Sequence, residues 1–117
     1  EYLINGIENR IEQIVANLLD NSISFSDDGS DVIVDVSNGL EKKVIVKILD
    51  EGQGFKEKDT SKIFNRFYSN RPENFGEHSG LGLNIVKNLV ELHDGKIEAS
   101  NRLDKQGALI EIKFPSL

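Results

Sequence analysis

The sequence predicts an α+β two-layer sandwich, a mixed, mostly antiparallel sheet with helices packed on one face. Three observations carry that prediction. Two long stretches, near residues 7–25 and 81–93, repeat apolar side chains at helical spacing. Four short stretches alternate apolar and polar residues as half-buried strands do. The strands fall into two pairs set between and after the helical stretches, an order that mixes helices with antiparallel strands.

The first helix is expected from about Ile7 to Phe25, with Ile7, Ile11, Ile14, Val15, Leu18 and Phe25 on one face. Ser26-Asp27-Asp28-Gly29-Ser30-Asp31 is turn chemistry and ends it. Val32, Val34 and Val36 then alternate with Asp35 and Ser37, and Val44, Val46 and Ile48 alternate around Lys47. Asn38-Gly39 between them is a hairpin signal, in a connection longer than two residues. Periodicity is absent from Asp50 to Ile63 and again from Ser69 to Ser79, where Pro72 and Gly76 sit among charged residues as in a mobile loop. The second helix is expected from about Leu81 to His93, burying Ile85, Val86, Leu89 and Val90 and ending at Asp94-Gly95 with Gly95 as the left-handed cap. Lys96–Ser100 and Ala108–Phe114 form a terminal hairpin.

At 117 residues the chain fits one domain with a real core and no second one. A net charge of -6 argues against broad binding to nucleic acid. With no cysteine, disulfides, thiolate zinc sites and thiol catalysis are excluded. No apolar run approaches the roughly 20 residues that span a bilayer, so no direct membrane contact is expected. The chain begins without Met and contains none, as an excised segment would.

Four short motifs carry chemistry. Gln13, Asn17 and Asn21 stand at i, i+4 and i+8 on the first helix, the two asparagines at the edge of its apolar stripe. Buried carboxamides need partners; these could cap a loop, or turn neutral oxygens toward a hard cation such as Mg²⁺ that takes the rest of its shell from phosphates and water. Asp50-Glu51-Gly52-Gln53-Gly54 follows a strand. Its carboxylate could accept from an exocyclic amine such as adenine's while the glycines admit a flat ring, although the same pattern is ordinary turn chemistry. Ser79-Gly80-Leu81-Gly82-Leu83 runs into the second helix and offers free N–H groups to phosphate oxygens, or simply a hinge. Ile63-Phe64-Asn65-Arg66-Phe67-Tyr68 is an aromatic cluster that reads as core, except that Arg66, and Arg71 beyond it, could reach a terminal phosphate.

In this order and spacing the motifs resemble the nucleotide-binding domain of sensor histidine kinases, within the gyrase, Hsp90, histidine kinase and MutL superfamily. Asn17-Leu18-Leu19-Asp20-Asn21 resembles the N box, Asp50 to Gly54 the G1 box, Ile63 to Tyr68 the F box and Ser79 to Leu83 the G2 box. The resemblance covers nearly the whole chain and implies the Bergerat α/β sandwich. It also implies ATP and Mg²⁺ as cofactors: Asn21 on the metal, Asp50 on the adenine amine, Gly52 and Gly54 along the base. Asn17, Phe67, Ser79, Gly80, Leu81, Gly82 and Leu83 would complete the nucleotide site, with residues 69–79 as its lid. Asn17, Arg66 and Arg71 would serve the transfer itself.

Asn17 chooses within the superfamily, because its ATPases carry a residue similar to a glutamate base at that position and a carboxamide takes no proton near neutral pH. A neutral imidazole acceptor already offers a lone pair, so the implied reaction is donation of the γ-phosphoryl to histidine. An ATPase of the same superfamily and a degenerate nucleotide-binding scaffold are the alternatives. The sequence departs from the family at Ser24, where a lysine or arginine is common, at His78, where glycine usually opens the G2 box, and at Ser69, where arginine often ends the F box. Neither His78 nor His93 has the acidic and proline context of a phosphoacceptor. The implied partners are therefore the protein's own dimerisation/phosphoacceptor domain, outside residues 1–117, and a downstream response regulator. The implied location is cytoplasmic, in a parent anchored in the inner membrane.

Overall fold

Helical spacing and strand alternation both become the elements they predict. The computed structural model describes Ile4 and residues 6–26, 29–55, 63–64 and 81–116, the side chains of residues 24, 25, 81 and 82 excepted. Six elements follow in order: α1 (Glu8–Phe25), β1 (Ile33–Gly39), β2 (Lys43–Leu49), α2 (Leu81–Leu92), β3 (Lys96–Asn101) and β4 (Ala108–Pro115). The four strands lie in the order β1-β2-β4-β3, and all three pairings are antiparallel.

The register decides which face becomes core. Val44, Val46 and Ile48 of β2 stand opposite Phe114, Ile112 and Ile110 of β4, and Ile97 and Ala99 of β3 continue the same rows. Both helices pack on that face. Ile14 and Leu18 of α1 meet Leu83, Val86 and Val90 of α2 over Ile48, Ile110, Ile112 and Phe114, with Ile63 and Phe64 in the same cluster. Burying one such side chain stabilises the fold by about 1.5–3 kcal/mol. The opposite face carries Lys47, Glu111 and Lys113, with Lys47 and Lys113 at 4.0 and 3.5 Å from Glu111; exposed pairs of this kind contribute little.

Four expectations shift. Ile7 is 54% exposed rather than buried: it is the extended residue before α1, with φ -91° and ψ 115°, so the helical wheel does not apply to it. Ile85 is 40% exposed, because the buried stripe of α2 runs through Leu83, Val86 and Val90 and leaves Ile85 on its flank. The left-handed residue after α2 is Asp94, at φ 60°, not Gly95. Gly95 instead closes the cap with its N–H on Val90 O at 2.9 Å. A Cβ there would lie 3.0 Å from Lys113 O, Phe114 Cδ1 and Val90 Cγ1, so its demand is for space. The hairpin turn is Leu40-Glu41-Lys42, beyond the expected Asn38-Gly39, with Glu41 and Lys42 at φ 59° and 56°.

Isoleucine is a poor N-cap, and Ile7 makes no side-chain cap bond. The start of α1 is held from outside: Ile7 N–H donates to His93 Nε2 at 3.1 Å, and His93 Nδ1 bonds Leu89 O at 2.8 Å. A carbonyl only accepts and an amide N–H only donates, so the ring is neutral with its proton on Nδ1. His93 is buried, and both its ring nitrogens are engaged in holding helix ends. This bond sets the beginning of α1 beside the end of α2, and the two helices share one core, so they run in opposite directions. The 12 residues of α2 extend roughly 18 Å. Its N-terminus therefore lies alongside the second half of α1, where Asn17 and Asn21 are.

Candidate functional site

The site grows from the end of β2. Asp50 follows the last ladder residue and extends the pairing by one step, its N–H donating to Ala108 O at 3.0 Å. The residue is 3% exposed. Gly52 N–H and Ala108 N–H both donate to its carboxylate Oδ1, at 2.9 and 3.0 Å. Two donors on one oxygen fix the plane of the carboxylate and meet the cost of burying it.

The glycines of the same motif are shaped by neighbours. Gly52 is buried and supplies one of those donors. Gly54 is at φ 77°, and a Cβ on it would stand 2.5 Å from Asn101 Oδ1. That approach exists because the Asn101 carboxamide grips the next peptide: Oδ1 accepts from Phe55 N–H at 2.6 Å and Nδ2 donates to Phe55 O at 3.0 Å. The segment after Asp50 is thereby tied to the end of β3, and Phe55 packs against the core.

The turn between β3 and β4 completes the surroundings of Asp50. Arg102 Nη1 donates to Asp50 O at 3.1 Å, while Nε and Nη2 bond the two carboxylate oxygens of Asp104 at 2.9 and 2.7 Å. The hydrogen bond to Asp104 is the main reason the Arg102 guanidinium sits above its ordinary value; burial opposes it, and the charges of Asp104, Glu51 and Asp50 add to it. The same bond from Arg102 holds the Asp104 carboxyl below its ordinary range. Lys105 Nζ reaches Glu51 Oε1 at 3.5 Å across the surface.

On α1, Asn17 and Asn21 are half-buried, one turn apart, beside the buried Leu18 and Ser22. α2 begins at Leu81, with Gly82 in its first turn and Leu83 buried in the core. The structure thus unites Asp50, Gly52 and Gly54 in one bonded loop and sets the asparagine turn of α1 level with the start of α2. Arg66, Phe67, Arg71, Ser79 and Gly80 lie outside the described residues, as do residues 69–79 and the side chains of Ser24 and Leu81.

Sequence reasoning missed Asn101, Arg102, Asp104, Gly107 and Ala108. Asn101-Arg102 at the end of an alternating run, followed by Gly107-Ala108 at the start of the next, reads as a plain hairpin turn. The partner of Ala108 is 58 residues away.

Residues 6–117 match the family described as histidine kinase-, DNA gyrase B- and HSP90-like ATPase. The chain is 39% identical over 115 residues to the sensor protein ChvG of Agrobacterium fabrum, covering 97% of this chain and 19% of that protein. It is therefore similar to about a fifth of the relative's length. Its fold superposes on a mycobacterial sensor histidine kinase, MprB, with a TM-score of 0.85 at 28% identity, over 97% of this chain and 74% of that one. Full-length ShkA solved in complex with AMPPNP gives 0.77 at 27% identity, over 93% of this chain and 22% of that one. The chain belongs to the histidine kinase-, DNA gyrase B- and HSP90-like ATPase family, as a histidine kinase ATP-binding domain.

Proposed function

We propose that residues 1–117 form one domain that binds MgATP and donates its γ-phosphoryl group to a histidine on a dimerisation/phosphoacceptor domain, from which a response regulator is charged. The observation that carries this reading is Asp50: a residue 3% exposed, with carboxylate Oδ1 taken by two backbone donors, at the end of a strand beside two glycines. Oδ2 is the atom we assign to the exocyclic amine of adenine. A carboxylate held in plane rejects a base that presents a carbonyl at that point, because acceptor would face acceptor.

Bound nucleotide would supply the transferable phosphoryl group and most of the coordination shell of Mg²⁺. Among the described residues no three His, Cys, Asp or Glu side chains cluster as a metal cage. A cation on Asn21 therefore suits an ion that keeps water and phosphate oxygens. Asn17 orients and does not take a proton. The first turn of α2, at Leu81, Gly82 and Leu83, directs N–H groups at the phosphates with Ser79 and Gly80. Phe67 lines the nucleotide, and Arg66 and Arg71 neutralise charge at the transfer. Among the described residues no helix is long and apolar enough to cross a membrane. We place the domain on the cytoplasmic side of a parent anchored in the inner membrane, as part of a sensor kinase.

Calorimetric titration with ADP and a non-hydrolysable ATP analogue, with and without Mg²⁺, tests this on the wild-type chain and Asp50→Asn. The expected outcome is binding that Mg²⁺ alters and that Asp50→Asn removes. Addition of the phosphoacceptor domain and radiolabelled ATP should then label a histidine on that domain. Absence of binding at millimolar nucleotide, or steady hydrolysis without transfer, would overturn the kinase reading.

A further inference from the structure

Among the described residues Asp50 makes four hydrogen bonds, and three of them come from the β3–β4 turn and its rim. Ala108 O accepts its N–H, Ala108 N–H donates to its Oδ1, and Arg102 Nη1 donates to its carbonyl oxygen. The fourth comes from Gly52, two residues on in its own loop. The turn is built around that carbonyl. Arg102 N–H closes it on Gly107 O at 2.9 Å. Gly107, at φ 149°, has room for no side chain, since a Cβ would run into Asp50 O.

The guanidinium that reaches this carbonyl is itself oriented. The Arg102 side chain is 5% exposed, although its partner Asp104 is 64% exposed. The two parallel bonds to Asp104 fix the plane of the fork and leave Nη1 aimed at Asp50 O. A bidentate fork of this type restrains orientation, which a single ammonium does not. The carbonyl and the carboxylate belong to the same residue, so holding the peptide fixes the Cα from which the carboxylate reaches its two N–H donors.

We propose that Arg102, braced by Asp104, is a positioning residue for base selection: it acts through Asp50 and makes its carboxylate discriminate an amino-purine from an oxo-purine. The inference rests on the nucleotide reading above. Hydrogen-bond selectivity depends on placement to within about 0.5 Å, whereas general nucleotide affinity is spread over phosphate, metal and ring contacts. Loosening the Asp50 peptide therefore costs selectivity first.

The test compares ADP with inosine diphosphate, which carries a carbonyl in place of the adenine amine, by calorimetric titration. Arg102→Lys keeps a positive charge but replaces the three nitrogens of the planar fork with one, which cannot stand at all three of their positions. Asp104→Asn keeps the outline and loses the ionic fork. Both are expected to lower the ADP-to-inosine-diphosphate affinity ratio, Arg102→Lys by about tenfold and Asp104→Asn by less, as for loss of one hydrogen bond to a charged group. Val90→Ala, which opens a void in the core on α2 and removes none of the turn's hydrogen bonds, should lower the melting temperature and leave the ratio at its wild-type value. A wild-type ratio in folded Arg102→Lys and Asp104→Asn would overturn the proposal, as would an equal loss of ratio in Val90→Ala. A wild-type chain that binds both nucleotides equally would overturn it together with the assignment of Asp50. One that binds ADP selectively while Arg102→Lys and Asp104→Asn do so equally overturns the positioning role alone.

Discussion

β1 and β4 carry the same alternation and meet opposite fates. On β4, Ile110, Ile112 and Phe114 are 2%, 1% and 3% exposed; on β1, Val34 and Val36 point to the same side of the sheet and are 46% and 37% exposed. β4 lies between β2 and β3 under both helices, whereas β1 is the outer strand beyond β2. Alternation specifies a strand and its two faces, and the place in the sheet decides how much stability that face supplies. The candidate site follows the same division. Asp50 hangs between β2 and β4, and Asn101, Arg102 and Ala108 flank it from the β3–β4 side.

The sharpest break of this contrast is in the core. Ile112→Ala should destabilise the chain by about 2–5 kcal/mol in urea denaturation, because the neighbours of a fully enclosed side chain cannot close over the void. Gly107→Ala comes next, with a loss of about 2 kcal/mol or more, since the new Cβ must displace the Asp50 carbonyl; nucleotide affinity should fall with it in the same titration used for Asp50→Asn. His93→Ala leaves the Ile7 N–H and the Leu89 carbonyl without their side-chain partner. A destabilisation of about 1–3 kcal/mol is expected, with faster hydrogen exchange concentrated in the first turn of α1.

A smaller effect separates the turn from both strands through its pH dependence. The Asp104 carboxyl is depressed in the folded chain, below its ordinary value of 3.8. Its contribution is therefore complete above that value and lost as the pH falls through the depressed one. Wild type should exceed Asp104→Asn in stability by a constant margin near neutral pH, and the margin should shrink only below about pH 4. A margin that peaked at neutral pH and fell on both sides would place the effect elsewhere. Val36→Thr on the outer strand should change stability by no more than about 0.5 kcal/mol.

The elements were legible because each is written locally. Periodicity located α1, α2 and the four strands, and Ile14, Leu18, Val86 and Val90 are buried as the wheel requires. Local writing also explains the shifts. Ile85 has the right chemistry, but a neighbouring element decides whether a flank is covered, and Ile7 stands just before the helix whose wheel includes it only on paper. Gly95 looked like a conformational glycine because glycine usually takes the left-handed position, yet Asp94 takes it and Gly95 answers to Phe114 and Lys113 across the fold. In the site, Asp50, Gly52 and Gly54 announced themselves by spacing. Arg102, Gly107 and Ala108 could not, because their meaning arises only when β4 pairs with β2 and brings residue 108 to residue 50. Asn101 was equally silent, its partner Phe55 lying 46 residues away.

The Asn101 latch has a consequence for how the molecule ages. Its carboxamide meets the Phe55 peptide as one half of a base pair meets the other, acceptor to N–H and donor to C=O. Aspartate has the same outline and no donor, so hydrolytic loss of ammonia from this one side chain would set two acceptors against each other. The core would not register the change, since Asn101 is exposed. The segment behind Gly54 would come unfastened from β3 all the same, in a protein one mass unit heavier.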